Sequence, residues 1–239
     1  MVDRRLGAGP AVAVVLVAAV GLALWWQSDD RAPGLPVASV AGASLERGPA
    51  DPDLAEALRR SVHSVHASGC GIERQATVTL IDGDDGPTGL TNQHVVAGSS
   101  DLAVDGVQDR VELRGHVDGR DASIVDGEDL VDGGLEPLET GPRPIVGAQV
   151  VVAGYPGGVF EATVGHVRSV EVRQGYGGSG DVMLIDVVAT PGVSGGVVVD
   201  AEGRAVGLVA ARDPSTGEVV AYPLDELDGP VRDTTTPCV

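Results

Sequence analysis

Ser194 lies among three glycines in residues 190–196, Thr-Pro-Gly-Val-Ser-Gly-Gly. Glycines let the backbone adopt positive φ angles and approach a bound molecule closely. They also let successive N–H groups point at one place, the arrangement that stabilises a developing oxyanion. A Gly-rich turn whose serine only fills a polar position has the same pattern, because short Gly-Ser clusters are common in loops. The segment alone leaves both interpretations open.

Two residues earlier in the chain supply what a serine nucleophile needs. A hydroxyl becomes a useful nucleophile when an imidazole takes its proton and a carboxylate orients that imidazole. His94 lies where the apolar run 89–96 meets its loop, and Asp121 leads directly into the apolar run 121–125. Taken alone, the histidine is equally well explained as a core residue. The aspartate alone is better explained as a turn residue, because the chain has many acids. With Ser194 they occur in the order His, Asp, Ser, a known order for a catalytic triad.

The order of the histidines excludes one class of hydrolase. The serine segment also satisfies G-x-S-x-G, the nucleophile elbow of α/β-hydrolases, in which the catalytic histidine follows the serine. Here every histidine precedes Ser194: His63, His66, His94, His116 and His166. His63 and His66 stand three apart with no third ligand at a suitable spacing, so we expect no metal site.

The charge of the chain excludes other functions. Asp and Glu number 35 against 16 basic residues, a formal net charge of −19, and every basic residue is Arg. Phosphate binding requires a positive patch, so we expect no nucleic-acid partner. Without Lys, neither a Walker-type P-loop nor Schiff-base chemistry is available. Residues 175–180 match G-x-G-x-x-G but precede a strand-like run rather than a helix, so we predict a hairpin loop and no cofactor.

The N-terminal segment predicts a membrane anchor. Residues 6–26 carry no charge and approach the ~20 residues that span a bilayer. The flanking charges predict residues 1–5 in the cytoplasm and the rest of the chain outside. A cleaved signal peptide is the alternative, but the bulky residues Trp25 and Trp26 at the exit favour an uncleaved anchor. Residues 27–50 are rich in Pro, Gly, Ala and Ser, which is typical of a linker.

The remainder of the chain predicts an all-β fold. Asp51 followed by Pro52 indicates the start of a short helix. Beyond residue 61, short apolar runs recur between Gly and Asp residues, a spacing typical of a sandwich or a pair of barrels. Residues 135–147 contain three prolines and are predicted to be a stiff linker between two halves.

A resemblance to a known family rests on five segments, residues 91–98, 121–125, 151–158, 192–196 and 200–208. The family is that of the bacterial trypsin-like serine proteases, and residues 151–158 resemble an early strand of its second barrel. Residues 91–98 resemble the family's T-N-A-H-V-V-A-G segment, and residues 192–196 its G-x-S-G-G segment. Residues 200–208 resemble the D-x-x-G-x-V-V-G-I strand, and residues 121–125 are similar to D-x-A-x-L. Gln93 replaces the usual Ala, and three further acids compete with Asp121 for the acid role: Asp118, Asp126 and Asp129.

The resemblance implies a fold and a set of roles. The fold would be two six-stranded antiparallel β-barrels, at about 61–140 and 145–228 within a protease domain of residues 51–239, with a cleft between them. His94 would be the general base and acid, Asp121 its orienting partner and Ser194 the nucleophile. The backbone N–H groups of Gly192 and Ser194 would form the oxyanion hole. We expect no PDZ module after the domain.

The expected function is that of a membrane-anchored serine endopeptidase of the cell envelope, acting outside the cytoplasmic membrane on protein or peptide substrates. One alternative is a catalytically inactive trypsin-fold protein that binds or senses. A structural envelope protein with a coincidental serine loop is another. By the resemblance, the walls of the specificity pocket come from residues 188–191, 209–212 and 219–222. These residues contain no acid, so a preference for cleavage after Arg or Lys is not supported, and Asp213 is the nearby acid that could provide one.

The two cysteines, Cys70 and Cys238, lie far apart and form no C-x-x-C or zinc spacing. Two buried thiols would explain them. An exported domain favours a disulfide between them, which would tie the first strand of the domain to its C-terminal tail.

Overall fold

The computed structural model describes residues 47–174 and 178–232. The predicted cytoplasmic segment 1–5, the anchor 6–26, most of the linker 27–50, part of the 175–180 loop and Cys238 therefore lie outside the described residues. No helix within the described residues is both long and apolar enough to cross a membrane. The anchor and the disulfide stay predictions.

Strands make up most of the described chain. The helices are short: α1 (Pro52–Leu58), α2 (Gln93–Val96), α3 (Gly127–Asp132) and two 3₁₀ turns at Pro156–Gly158 and Leu224–Leu227. The strands are, in chain order, β1 (Gly48–Pro49), β2 (Val62–Gly69), β3 (Ile72–Gly83), β4 (Gly86–Thr91), β5 (Asp101–Val104), β6 (Leu113–Val117), β7 (Ser123–Asp126), β8 (Gln149–Gly154), β9 (Glu161–Gln174), β10 (Ser179–Val188), β11 (Val197–Val199), β12 (Ala205–Arg212), β13 (Glu218–Pro223) and β14 (Val231–Arg232).

The second sheet closes into a six-stranded antiparallel barrel in the order β8-β9-β10-β13-β12-β11, with β11 pairing back to β8. Closure depends on the length of β9, which has 14 residues. Its first half pairs with β8 from Glu161 to His166, and its second half pairs with β10 from Val167 to Gln174. The short strand β1 adds to the outside of β9. The predicted second barrel is confirmed.

The first sheet is not closed, so the prediction of a six-stranded first barrel is wrong. Its order is β14-β6-β7-β4-β3-β2-β5, which leaves β14 and β5 at the edges. A backbone hydrogen bond from Val111 N to Leu102 O (3.2 Å) links the segment before β6 to β5. Residues 105–110 include Asp105, Gly106 and Asp109, residue types that favour a turn over a strand. No strand ladder therefore forms between β5 and β6.

An apolar seam joins the two sheets. Each sheet has its own core, and a third cluster combines side chains from both, including Leu90, Val117, Ala153 and Leu208. Helix α1 contributes Leu58 to this cluster, and the carboxylate of Asp51 caps the helix by accepting hydrogen bonds from the N–H groups of Asp53 (2.9 Å) and Leu54 (3.3 Å). The predicted helix start is therefore confirmed. Because the seam buries apolar surface from both sheets, it stabilises their packing against each other.

We expect Arg47 to stabilise the second sheet. The side chain of Asp186 in β10 is 2% exposed, and the Arg47 guanidinium reaches it through Nη2 (2.8 Å) and Nε (3.0 Å). Arg47→Ala should lower the free energy of unfolding by about 1–3 kcal/mol, because a buried carboxylate loses a charged donor. Urea denaturation measures the change.

Arg110→Ala is the matched control for this prediction. Arg110 binds Asp101 at 3.0 Å, but the Asp101 side chain is 29% exposed, so water can replace the arginine and its removal should cost less than about 1 kcal/mol. Equal losses in the two variants would show that Arg47 is no more than a surface partner.

His116 should make stability depend on pH. It is buried in β6 with Nδ1 2.6 Å from Ser123 Oγ, and burial lowers its pKa. The unfolded chain then takes up a proton near the ordinary pKa of about 6.5 while the folded chain resists it. The contribution of neutral, buried His116 to the free energy of unfolding is therefore full above this pH and is lost as the pH falls below it. Urea denaturation between pH 7.5 and 5.5 should show a smaller loss of stability for His116→Gln than for wild type. An equal loss in the two proteins would contradict this role of His116.

Candidate active site

His94 and Asp121 form a closely fitted pair. Strand β4 ends at Thr91, and His94 follows as the second residue of the single-turn helix α2. Its Nδ1 lies 2.6 Å from Asp121 Oδ2, and its backbone N–H donates to Asp121 Oδ1 at 2.8 Å. Both carboxylate oxygens therefore hold the same residue. Since Nδ1 faces the carboxylate, Nε2 lies on the opposite edge of the ring, and the side chain is half exposed.

The other acids that compete for this role are engaged elsewhere. Asp118 binds Arg232. Asp126 binds Arg114 and caps α3 by accepting a hydrogen bond from the N–H of Asp129 (3.0 Å). Asp129 accepts a hydrogen bond from Glu112 N at 2.9 Å. Of the four candidate acids, the structure brings Asp121 to the imidazole.

Two residues that sequence reasoning missed hold the backbone of Asp121. The side-chain amide of Asn92 donates to Asp121 O at 2.6 Å, and Asn92 is fully buried. The N–H of Asp121 donates to the Tyr222 hydroxyl at 3.4 Å. Asn92 stands next to Gln93 in the histidine segment, which was a usable signal. Tyr222 lies about 100 residues away in sequence, where spacing gives no indication.

Ser194 lies in a turn between β10 and β11, residues 190–196, which we call the serine turn. This turn belongs to the second sheet but is bound by β3 of the first. Thr77 N donates to Ser194 O (2.9 Å), and Thr77 Oγ1 donates to Gly192 O (2.8 Å). Thr79 Oγ1 donates to Gly195 O at 3.0 Å. Sequence reasoning missed both threonines, since in β3 they look like ordinary strand residues.

Glycine is required at two positions of the serine turn. Gly192 and Gly195 have φ of 100° and 82°, in the region that other residues rarely adopt. A Cβ at Gly192 would lie 2.6 Å from Tyr155 O, and one at Gly195 would clash with Thr77 O. The turn can therefore pack against the neighbouring backbone only because side chains are absent there.

The backbone of the serine turn leaves two donors available. Val193 N donates to Thr190 O at 3.2 Å. On either side of it, Gly192 N and Ser194 N donate no hydrogen bond within the described residues. Two unused N–H groups beside a hydroxyl are suited to hold a negatively charged oxygen.

The serine turn and the His–Asp pair both lie beside the end of β4 at Thr91. Thr91, the last residue of β4, donates from Oγ1 to Thr77 O (2.8 Å) and lies against Gly195. His94 follows three residues later. No hydrogen bond joins Ser194 Oγ to His94 Nε2 within the described part of the chain. Such bonds are often long without substrate and tighten when it binds.

Asp213, the candidate for a basic preference, has a structural role. Its Oδ1 accepts hydrogen bonds from Ser215 Oγ (2.5 Å), Ser215 N (2.9 Å) and Thr216 N (2.9 Å). Its Oδ2 binds Arg173 at 2.6 Å. The Ser215 hydroxyl, followed by the Thr216 amide and Arg173, holds the pKa of Asp213 well below its usual range. The carboxylate therefore caps the turn between β12 and β13, and its oxygens are already occupied.

We expect Thr77→Val to be destabilising although the side chains are alike in shape. Thr77 is fully buried, and its hydroxyl binds both Gly192 O and Tyr155 N. The loss should be about 1–3 kcal/mol, because buried groups are left without partners. Urea denaturation tests this, with Thr88→Val as control, since the Thr88 hydroxyl binds Gly86 O at the other end of β4. A loss at Thr77 no larger than at Thr88 would contradict the role given to Thr77.

The chain matches known proteins. A family model described as a trypsin-like peptidase domain matches residues 76–208. Serine protease Rv3671c of Mycobacterium tuberculosis (strain ATCC 25618 / H37Rv) is 33% identical over 151 residues, which are 55% of this chain and 36% of that protein. The chain thus spans about a third of the length of this relative.

Solved structures agree with the family match. The active form of the Rv3671c protease from M. tuberculosis has a TM-score of 0.63 and 26% identity, and the match covers 80% of this chain and 93% of that one. The HtrA-type protease AlgW with tripeptide has a TM-score of 0.61 and 25% identity, with 74% and 61% covered. The match to the family model includes more than half of the chain, and His94, Asp121 and Ser194 all fall within it. This chain belongs to the trypsin-like peptidase family.

Proposed function

We propose that this protein is a serine endopeptidase that cleaves protein or peptide substrates through His94, Asp121 and Ser194. The observation that carries the proposal is the double contact of the Asp121 carboxylate with Nδ1 and the backbone N–H of His94. This contact fixes the plane of the ring and directs Nε2 away from the acid. The serine turn lies at the same end of β4, so a substrate bound at the seam would meet both groups.

The first half-reaction would form an acyl-enzyme. Ser194 Oγ attacks the carbonyl carbon of the scissile bond while His94 Nε2 takes the hydroxyl proton. The carbonyl oxygen becomes negative and accepts hydrogen bonds from Gly192 N and Ser194 N. His94 then gives its proton to the leaving nitrogen, the carbon–nitrogen bond breaks, and an ester to Ser194 remains.

The second half-reaction would release the product. His94 takes a proton from a water molecule, whose oxygen attacks the ester carbon. The bond to Ser194 Oγ breaks, and the proton returns from His94 to that oxygen. Throughout, Asp121 stays ionised and accepts a hydrogen bond from Nδ1–H of His94. This bond keeps the imidazole in the tautomer with a free Nε2 lone pair and stabilises the imidazolium that forms.

We also infer that the peptidase acts outside the cytoplasmic membrane as an anchored protein. The support is the uncharged run 6–26 between two arginines and two aspartates. The same location favours a disulfide between Cys70 and Cys238. Mass spectrometry of the non-reduced, digested protein would show the linked peptides, and two thiols titrating in the unfolded, non-reduced protein would contradict the pairing.

A catalytically inactive binding or sensing protein is the second candidate. Two observations favour it: Gln93 stands where the family has a small residue, and Ser194 and His94 share no hydrogen bond in the described structure. The fold and seam would be the same in both cases. The two candidates differ in whether the hydroxyl of Ser194 is reactive.

Labelling with a fluorophosphonate tests this difference. Wild type should gain one adduct, located at Ser194 by mass spectrometry, and Ser194→Ala should gain none. The labelling rate of His94→Ala should be lower than that of wild type by at least about 10³-fold, because the hydroxyl loses its base. Ser68→Ala, a serine of β2, is the control and should label at the wild-type rate. Folded wild type that labels no faster than Ser194→Ala would contradict the proposal and favour the inactive protein.

A further inference from the structure

Arg120, the residue before the proposed catalytic acid, reaches into the second sheet. Its Nη1 donates to Ser179 O (3.0 Å) at the start of β10, and its Nη2 binds Glu226. Its guanidinium also lies 6.0 Å from the centre of the Tyr222 ring. The side chain is 16% exposed, so these contacts are largely shielded from water. An arginine of the first sheet thus takes its partners from the second.

The same part of the second sheet holds Asp121 itself. The hydroxyl of Tyr222 accepts the hydrogen bond from Asp121 N, and Tyr222 is buried. The Arg120 guanidinium faces the ring of this tyrosine, where a cation is attracted to the π electrons. Two successive residues, 120 and 121, are therefore fastened to the second sheet through one tyrosine and its neighbours.

Glu226 is fixed on both sides. Its Oε2 binds Arg120, while its Oε1 accepts a hydrogen bond from Arg143 Nη2 at 3.2 Å. Arg143 belongs to the segment between the two sheets and also binds Asp225 (2.8 Å). Bonds between charged partners are stronger and more directional than neutral ones. The carboxylate that holds Arg120 is thus a fixed point and not a mobile surface acid.

The turn that carries Asp121 is closed by its own backbone hydrogen bonds, such as Val117 N to Ala122 O (2.9 Å), and Arg120 adds an anchor from the second sheet. The turn connects β6 and β7, strands of five and four residues, near the β14 edge of the open first sheet. Asn92, which belongs to the first sheet, binds the carbonyl of Asp121. Its side chain makes no hydrogen bond to residues 118–120, which precede Asp121 in the turn. A shift of about 1 Å in a catalytic group can lower the rate by about 10²-fold. The contacts of Arg120 oppose that shift.

We propose that Arg120 is a positioning residue, which together with Glu226 and Tyr222 holds Asp121 against His94. The geometry of the His–Asp pair then depends on how the second sheet packs against the first, although His94 and Asp121 both belong to the first sheet. The kinetic part of this inference rests on the proposed function. The hydrogen bond between His94 and Asp121 can be observed without it.

Kinetics of Arg120→Gln test the role. Its kcat should fall about 10–100-fold with KM within about twofold, because the change affects the alignment of the triad and not substrate binding. Arg120→Lys keeps the charge and should recover part of the loss. Arg60→Gln is the matched control, since Arg60 binds Glu136 at 2.8 Å away from Asp121, and it should behave as wild type.

The Asp121→Asn background separates positioning from general destabilisation. If Arg120 acts through Asp121, Arg120→Gln should change kcat less than about twofold once Asp121 is replaced. The same fold loss in both backgrounds would overturn the inference. Circular dichroism establishes that each variant is folded. If Arg120→Gln does not fold, Glu226→Gln replaces it in the comparison with the Asp121→Asn background.

Proton NMR gives a readout that does not require activity. In Ser194→Ala protein, the Nδ1–H of His94 bound to Asp121 should give a downfield resonance that Arg60→Gln and Arg120→Lys retain and Arg120→Gln loses. A resonance unchanged in Arg120→Gln would overturn the inference even if the enzyme is active. Loss of the resonance alongside an unlabelled wild type would refute the proposed peptidase while supporting the positioning role.

Discussion

The hydrogen bonds around Thr77 join the two sheets at the place where the chemistry is proposed. Its N–H binds Ser194 O (2.9 Å), its hydroxyl binds Gly192 O (2.8 Å) and Tyr155 N (2.9 Å), and its carbonyl accepts the hydroxyl of Thr91 (2.8 Å). The polar groups of Thr77 itself are shielded from water, because Thr77 has no exposed surface. The serine turn cannot move relative to β3 without leaving buried polar groups unpaired, which is costly.

The proposed site depends on both sheets, yet each contributes a different part. The open first sheet supplies His94 and Asp121 from two neighbouring segments, which hydrogen bonds bring together. The closed second barrel supplies the serine turn, whose Val193 packs against the barrel's core. Contacts in both directions tie the parts together: Thr77 reaches toward Ser194, and Tyr222 reaches toward Asp121. The proposed catalysis therefore depends on the contacts that hold the two sheets together.

The sequence predicted the parts that depend on residue type and order. The His, Asp, Ser order identified the pair that the structure brings together, and the spacing of apolar runs predicted the β fold. It could not predict that the first sheet stays open, because that depends on how residues 105–110 turn. It also missed Thr77, Arg120 and Tyr222, whose roles arise from contacts between residues distant in sequence. A carboxylate such as that of Asp213 could bind a basic substrate side chain. In the structure its oxygens are already bound by Ser215, Thr216 and Arg173.

An experimental structure of the protein with a fluorophosphonate bound at Ser194 tests the central claim most directly. The account predicts that the phosphoryl oxygen lies about 2.7–3.1 Å from the N atoms of Gly192 and Ser194. It also predicts that His94 Nε2 faces the Ser194 oxygen while Nδ1 remains on Asp121. An adduct whose oxygen lies in solvent, with the imidazole turned away from the serine, would contradict the account.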